Sequence, residues 1–395
     1  MAVAGGQGQP AEAGPIRVMV VDDSAVIRGL VSRWIGAEAG MEVVATAANG
    51  AIAVRQAEKT QPDVVVLDIE MPEMDGITAL PEILKAVRGV RVLMSSTLTR
   101  LGAEVSLRAL TLGASDYLTK PSSTGDAQVA EAFRAELLRK VRALGEARRS
   151  RVRGVSARPA NAAPHKPATA PTPAVGALYS GARVQLRPSG RVRPQVLAIG
   201  SSTGGPQALT TVLGPIAARL NVPVLITQHM PATFTAILAE HIAKATGVPA
   251  AEAVDGETIT AGRIYVAPGN HHMIVRRDGG KRTLHLTDDP PEHFCRPAVD
   301  PMLRSAAEAF GAATLAVILT GMGQDGLAGG RAVVEAGGTV MAQDEASSVV
   351  WGMPGAAATA GICSAVLPLG EIGGAIESFL RGPMLGGPIM AGVRR

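Results

Sequence analysis

Short, nearly continuous apolar runs punctuate the chain, and most of them stop at a polar or acidic residue. In residues 16–134 the runs are IRVMVVDD, MEVVATA, PDVVVLDIE, VRVLMSS and ASDYLTK. Between them lie amphipathic stretches such as SAVIRGLVSRWIG and AEVSLRALTLG, whose apolar residues recur at helical spacing. Apolar strands that alternate with helices predict five β/α units around a parallel sheet covered on both faces. Residues 194–380 repeat the pattern with QVLAIG, VPVLITQ, GRIYVAPGN, ATLAVILTGMGQDG and GTVMAQDEAS. The expected fold class is α/β, with two doubly wound, mostly parallel-sheet domains. Functional groups should gather at the carboxyl ends of the strands.

Composition divides the chain in the same way. Every charged residue from Arg148 to Arg193 is positive, and there are ten of them. Without these ten, 28 basic residues face 34 acidic ones, so the formal charge of +4 becomes −6. The basic character therefore lies in one segment, which includes the Pro/Ala-rich RPANAAPHKPATAPTPAVG and has no helical or strand period. It reads as a flexible linker. The expected divisions are a tail at 1–15, a first domain at 16–134, a linker at 135–193, a second domain at 194–382 and a tail at 383–395. Aromatics make up only 3% of residues, which argues against nucleic-acid stacking surfaces. No apolar run is long enough for membrane insertion and no signal-peptide pattern opens the chain, so a cytoplasmic protein is expected. Cys295 and Cys363 are expected to pack as small reduced side chains.

In the first half, strand one ends in Asp22 and Asp23, strand three in Asp68, strand four in Ser95 and Ser96, and strand five in Lys120 and Pro121. Three carboxylates at one sheet edge repel one another unless a cation lies among them, and hard oxygen ligands suit Mg²⁺. A nearby lysine and a serine hydroxyl could hold an added anion, so the set fits an aspartyl phosphate. Any one aspartate could instead cap a helix; five elements in order favour the chemical reading.

In the second half, QVLAIG leads into Ser201, Ser202 and Thr203, VPVLITQ ends at His229, and ATLAVILTGMGQDG reaches Asp325. Serine, histidine and aspartate at one sheet edge make a constellation for acyl transfer. Spacing leaves His271 and His272 as alternatives to His229, and Asp344 as an alternative to Asp325. Ser202 and Asp325 could also be helix caps. GSSTG fits the nucleophile-elbow pattern, but the order serine, histidine, aspartate disfavours an ordinary α/β-hydrolase. GMGQDG falls too late in its domain for a dinucleotide fingerprint, and GSSTGG lacks the lysine of a phosphate loop. Adjacent His271 and His272 point apart in an extended segment, which argues against a metal site.

These motifs reach two families. The first half, with VDDS, LDIEMPEMDG and YLTKP, resembles a flavodoxin-like bacterial response-regulator receiver domain. The resemblance implies Asp68 as phosphoacceptor and Asp22, Asp23 and Asp68, with a backbone carbonyl near Glu70, as Mg²⁺ ligands. It also implies Ser96 as switch hydroxyl, Tyr117 as switch aromatic, Lys120 as phosphate partner and a cis Lys120–Pro121 bond. The second half, with IGSSTGG, ITQHMP, YVAPGNHHM, RPAVDPM, ILTGMGQDG and QDEASSVVWGMP, resembles the protein-glutamate methylesterase and protein-glutamine glutaminase of bacterial chemotaxis. Carried over, Ser202 is the nucleophile, His229 the base, Asp325 its orienter, and Met322 an oxyanion donor through its backbone N–H. The resemblance implies a monomeric enzyme that needs no cofactor for ester hydrolysis. Methyl-accepting chemoreceptors would be its substrates and a chemotaxis histidine kinase its phosphodonor, with no nucleic-acid partner. A receiver ahead of an esterase leads us to expect that the unphosphorylated form covers the active site. The rival reading is a phospho-dependent binding module with a degenerate second domain.

Overall fold

The computed structural model describes residues 14–97, 99–120, 127–156 and 184–382. The centre of the expected linker, Pro121, the C-terminal tail and nearly all of the N-terminal tail lie outside the described residues. In the first domain, β1 (Ile16–Val21), β2 (Met41–Ala47), β3 (Val64–Asp68), β4 (Arg91–Thr97) and β5 (Asp116–Lys120) form a parallel sheet of order β2-β1-β3-β4-β5. Its helices are α1 (Ala25–Gly36), α2 (Gly50–Thr60), α3 (Gly76–Ala86), α4 (Arg100–Thr111) and α5 (Ala127–Ser156). Val18 and Val20 pack toward α1 and α5, whereas Met19 and Val21 pack toward α2, α3 and α4. Both faces are covered, which is why the strands read as apolar runs without polar alternation.

The second domain contains β6 (Val196–Ser201), α6 (Gly205–Leu213), β7 (Val224–Gln228), α7 (Ala232–Thr246), β8 (Ala250–Glu252) and β9 (Ile264–Val266). Then come β10 (His272–Asp278), β11 (Lys281–Thr287), α8 (Val299–Phe310), β12 (Thr314–Ile318) and α9 (Leu327–Glu335). It ends with β13 (Thr339–Gln343), α10 (Met353–Thr359), β14 (Ala365–Leu367) and α11 (Leu369–Arg381). Seven strands form a parallel sheet of order β14-β13-β12-β6-β7-β9-β8. Strands β10 and β11 make a separate antiparallel hairpin packed on α8. Helices α6, α7 and α11 cover one face of the sheet, and α8, α9 and α10 the other. Chain direction across the sheet reverses between β6 and β12, the place where such sheets open a crevice.

The expected linker differs from what is observed at both of its ends. Helix α5 continues from residue 127 to 156, so the boundary at 134/135 falls inside a helix. Its basic residues have particular partners: Arg142 pairs with Glu38, and Arg148 and Arg149 both pair with Asp63. On the other side, the Arg187 amide donates to the Cys363 carbonyl at 3.0 Å and Gly190 N donates to Thr339 Oγ1 at 2.9 Å. Composition marks these residues as basic, but not that acids of the first domain lie opposite them.

Candidate active site

The acidic edge of the first domain forms where β1 and β3 lie side by side. Asp22, Asp23 and Asp68 bring their carboxylate oxygens within 4.8 Å of one another. Lys120 Nζ bridges Asp22 Oδ2 and Asp68 Oδ1, each at 2.8 Å. Burial pushes the Asp68 carboxyl up to about 6 despite the neighbouring lysine. Hydrogen bonds to both aspartates outweigh the burial of Lys120 and raise its ammonium above the ordinary lysine value. Glu70 is exposed two residues beyond the end of β3. Ser96 is buried, and its hydroxyl donates to the carbonyls of Thr97 and Gly102 at 3.1 and 3.2 Å.

In the second domain the register between β6 and β7 pairs Ser201 with Gln228. Ser202 and His229 therefore leave adjacent strands side by side, and His229 N donates to Ser201 O at 3.2 Å. The two serines separate cleanly. Ser201 is buried and its hydroxyl donates to Gln228 Oε1 at 2.6 Å. Among the described residues, no hydrogen bond ties up the Ser202 hydroxyl, and Ser202 lines a cavity of about 670 Å³. The glycines that follow have a steric reason. Gly204 adopts φ +77°, and a Cβ on Gly205 would lie 1.9 Å from Gln228 Oε1. This turn sets Ser202 at the N-terminal end of α6, where the helix field favours negative charge.

His229 Nε2 lies 2.7 Å from Asp325 Oδ2. Asp325 is buried and accepts backbone N–H groups from Val299 at 2.6 Å and Asp300 at 2.9 Å. His229 and these amides overcome its burial and hold the Asp325 carboxyl below its ordinary value. The alternatives lie elsewhere. His271 Nδ1 is 2.7 Å from the exposed Asp288, and His272 is buried with its Nδ1 accepting from Ala298 N at 3.1 Å. Asp344 caps the local turn at Ser347. Met322 lines the same cavity as Ser202, and a Cβ on neighbouring Gly321 would lie 2.8 Å from Ser202 Cβ.

Cys295 departs from its expected role as core packing. It is half-buried, and its Sγ lies 3.4 Å from His229 Nδ1, the imidazole nitrogen that Asp325 leaves free. Burial opposes a charged imidazole, but Asp325 and Cys295 outweigh it and push His229 up to about 10. Cys363 does pack in the core, where burial pushes its thiol up to about 12. Asp300, present in RPAVDPM but without an expected role, accepts from the amides of Gly326 and Gly329 at 3.0 and 2.6 Å. It thereby holds the start of α9 against α8.

The first domain closes over this site. The Thr203 hydroxyl donates to Asp116 Oδ2 at 2.7 Å. Tyr117 stacks on Phe234 with 4.4 Å between ring centroids and an interplanar angle of 6°. Lys140 of α5 is buried beneath them, 3.1 Å from Asp116 and donating to the Tyr117 carbonyl at 2.5 Å. Met322 and Val350 join the apolar cluster of Phe133, Leu137 and Val141 on α5. The cavity that contains Ser202, His229 and Cys295 thus has a second wall from β5 and α5.

The chain thus carries a lysine-bridged acidic edge in one parallel-sheet domain and a serine, a histidine and an aspartate at the edge of another. Residues 197–376 match the CheB methylesterase family and residues 18–130 match the response regulator receiver domain. A Paramagnetospirillum magneticum relative described as protein-glutamate methylesterase/protein-glutamine glutaminase 1 is 58% identical over 361 residues, covering 90% of this chain and 94% of its own. A Bradyrhizobium diazoefficiens relative of the same description, from a group 2 operon, is 55% identical over 387 residues, covering 95% and 96%. Among solved structures, the Thermotoga maritima CheB methylesterase catalytic domain is 38% identical with a TM-score of 0.46, covering 47% of this chain and 99% of its own. The chain belongs to the receiver-containing CheB methylesterase family.

Proposed function

We propose that the chain hydrolyses γ-glutamyl methyl esters on chemoreceptors to glutamate and methanol, and deamidates receptor glutamines to glutamate and ammonia. The observation that supports the reading is that Ser202 and His229 line one cavity, with Asp325 2.7 Å from the imidazole Nε2. Ser202 Oγ attacks the ester carbonyl. Because Nε2 faces Asp325, His229 Nδ1 takes the serine proton and then returns it to the departing methoxide. Water, activated by the same nitrogen, cleaves the acyl-enzyme and restores Ser202. The Met322 N–H and the N-terminal end of α6 favour the oxyanion. An amide follows the same route with ammonia leaving.

Control rests on the first domain. Asp68 accepts phosphate from a histidine kinase. Asp22, Asp23 and Asp68, with a carbonyl near Glu70, offer the hard oxygen donors that suit Mg²⁺, which would neutralise charge on the phosphoryl group. Phosphate at Asp68 competes for Lys120 and recruits Ser96. Tyr117, packed on Phe234, then loses its present position and docking weakens. The contacts of Asp116, Tyr117 and α5 around the cavity support a covered, low-activity state for the unphosphorylated chain.

Methanol release from methyl-labelled receptor membranes tests the enzymatic reading. The wild type should release it, and Ser202→Ala should reduce the rate by about 10⁴-fold or more. Equal release by both proteins would remove Ser202 from the mechanism. Receptor binding without any release would favour a binding module.

A further inference from the structure

The loop that delivers Cys295 to His229 has an unusual tip. Glu292 and Cys295 exchange two backbone hydrogen bonds, at 3.1 and 2.8 Å, closing a two-residue turn around His293 and Phe294. Both central residues have positive φ, +54° and +63°. Turns of this kind are normally made by Asn and Gly, and a bulky side chain in this region is a true outlier. His293 has a structural reason to be there, because its Nε2 lies 2.9 Å from Oδ2 of the buried Asp300. Arg304 clamps the base of the turn through a two-nitrogen contact with Glu292, one arm at 3.0 Å. Among the described residues Phe294 is covered by no neighbour: its relative exposure is 103%. The loop therefore spends strain to hold an apolar ring in solvent, at the rim of the cavity that holds Ser202 and His229.

The proposed substrate explains what the ring meets. The reacting carbonyl carbon of a glutamyl side chain lies no more than about 4 Å from its Cα, so an ester at Ser202 brings the substrate's own backbone onto the cavity rim. We propose that Phe294 is a specificity-determining contact for the protein substrate, its ring packing on apolar side chains or methylenes that flank the reacting glutamyl residue. The inference rests on the esterase reading of the site and adds the surface that the substrate polypeptide occupies.

The test is steady-state methanol release from methyl-labelled receptor membranes by the full chain and its Phe294→Ala, Phe294→Ser and Phe294→Leu variants. Loss of the ring should raise the KM for receptor about tenfold, the scale of burying one large apolar side chain. The kcat should stay within about twofold, and Phe294→Leu should recover most of the affinity. Circular dichroism confirms that each variant is folded. An unchanged KM in Phe294→Ala and Phe294→Ser would overturn the proposal and leave the esterase reading standing. A fall in kcat at constant KM would also overturn it, because the loop would then act through the base. Absence of methanol release by the wild type would overturn the reading of the site, and this inference with it.

Discussion

The Thr203 hydroxyl, one residue after the proposed nucleophile, donates to Asp116 of the receiver at 2.7 Å. Both side chains are buried, and Asp116 also faces Lys140 at 3.1 Å. The hydrogen bond thus joins the turn at Ser202 to the strand that carries Tyr117 and Lys120. This places the link to β5 one residue from the proposed nucleophile.

Thr203→Val keeps the shape of the side chain and removes this bond, while Asp116 retains Lys140. A hydrogen bond to a charged group is worth about 1.5–3 kcal/mol, so basal activity on receptor membranes should rise about tenfold or more. The gain from phosphorylation should shrink correspondingly. An unchanged basal rate would mean that the bond does not restrain the covered form.

The histidine predicts an unusual pH dependence. Asp325 and Cys295 raise His229 to about 10 against the effect of burial, so the imidazole keeps its proton to higher pH than usual. A general base must be neutral to act, so kcat/KM should climb as pH rises, with an acid limb above the ordinary imidazole range of about 6.5. Cys295→Ala removes one of the two groups that raise His229 and should move that limb downward. Identical pH–rate profiles for the two proteins would dismiss Cys295 as a partner of the base.

Asp325 lies 2.7 Å from His229 and is itself held by two amides of α8, as its proposed orienting role requires. Asp325→Asn should leave binding of receptor membranes intact and lower kcat by about 10⁴-fold. The check is a full saturation curve; a defect confined to KM would show that Asp325 serves binding instead.

Phosphorylation should depend on the acidic edge. Acetyl phosphate with Mg²⁺ should label the wild type and not Asp68→Asn, and removal of Mg²⁺ by chelation should abolish labelling. Lys120→Ala should still accept label but activate poorly, since Lys120 contacts both Asp22 and Asp68. Robust labelling of Asp68→Asn, followed by phosphopeptide mapping, would move the acceptor elsewhere.

Much of this architecture is legible in the sequence because buried parallel strands leave a plain signature. VVVLD is buried along its whole length, and the run breaks at the carboxylate Asp68. The choice between His229 and the pair His271 and His272 is not legible in the spacing and there rests on the family resemblance, because it depends on the register of β6 with β7. Cys295 is equally hidden: it meets a histidine 66 positions away, on a turn whose His and Phe lack the usual Gly or Asn signal. The short strands β8 and β14, three residues each, carry too little pattern to stand out. The β10–β11 hairpin stands outside both parallel sheets, so the β/α rhythm gives no place for it. The family resemblance marks Tyr117 as a switch residue and leads to an expectation of covering, but the pairing of Tyr117 with Phe234 has no signal in the sequence.

The most direct test of the account is the initial rate of methanol release from methyl-labelled receptor membranes by the full chain, before and after phosphorylation with acetyl phosphate and Mg²⁺. A receiver that covers the site through Asp116, Tyr117 and α5 predicts a low rate that rises about tenfold or more on phosphorylation. That change needs only about 1.4 kcal/mol of differential docking. The rise should be absent in Asp68→Asn and the whole signal absent in Ser202→Ala. Equal rates before and after phosphorylation of the wild type, with stoichiometric label on Asp68, would contradict the account.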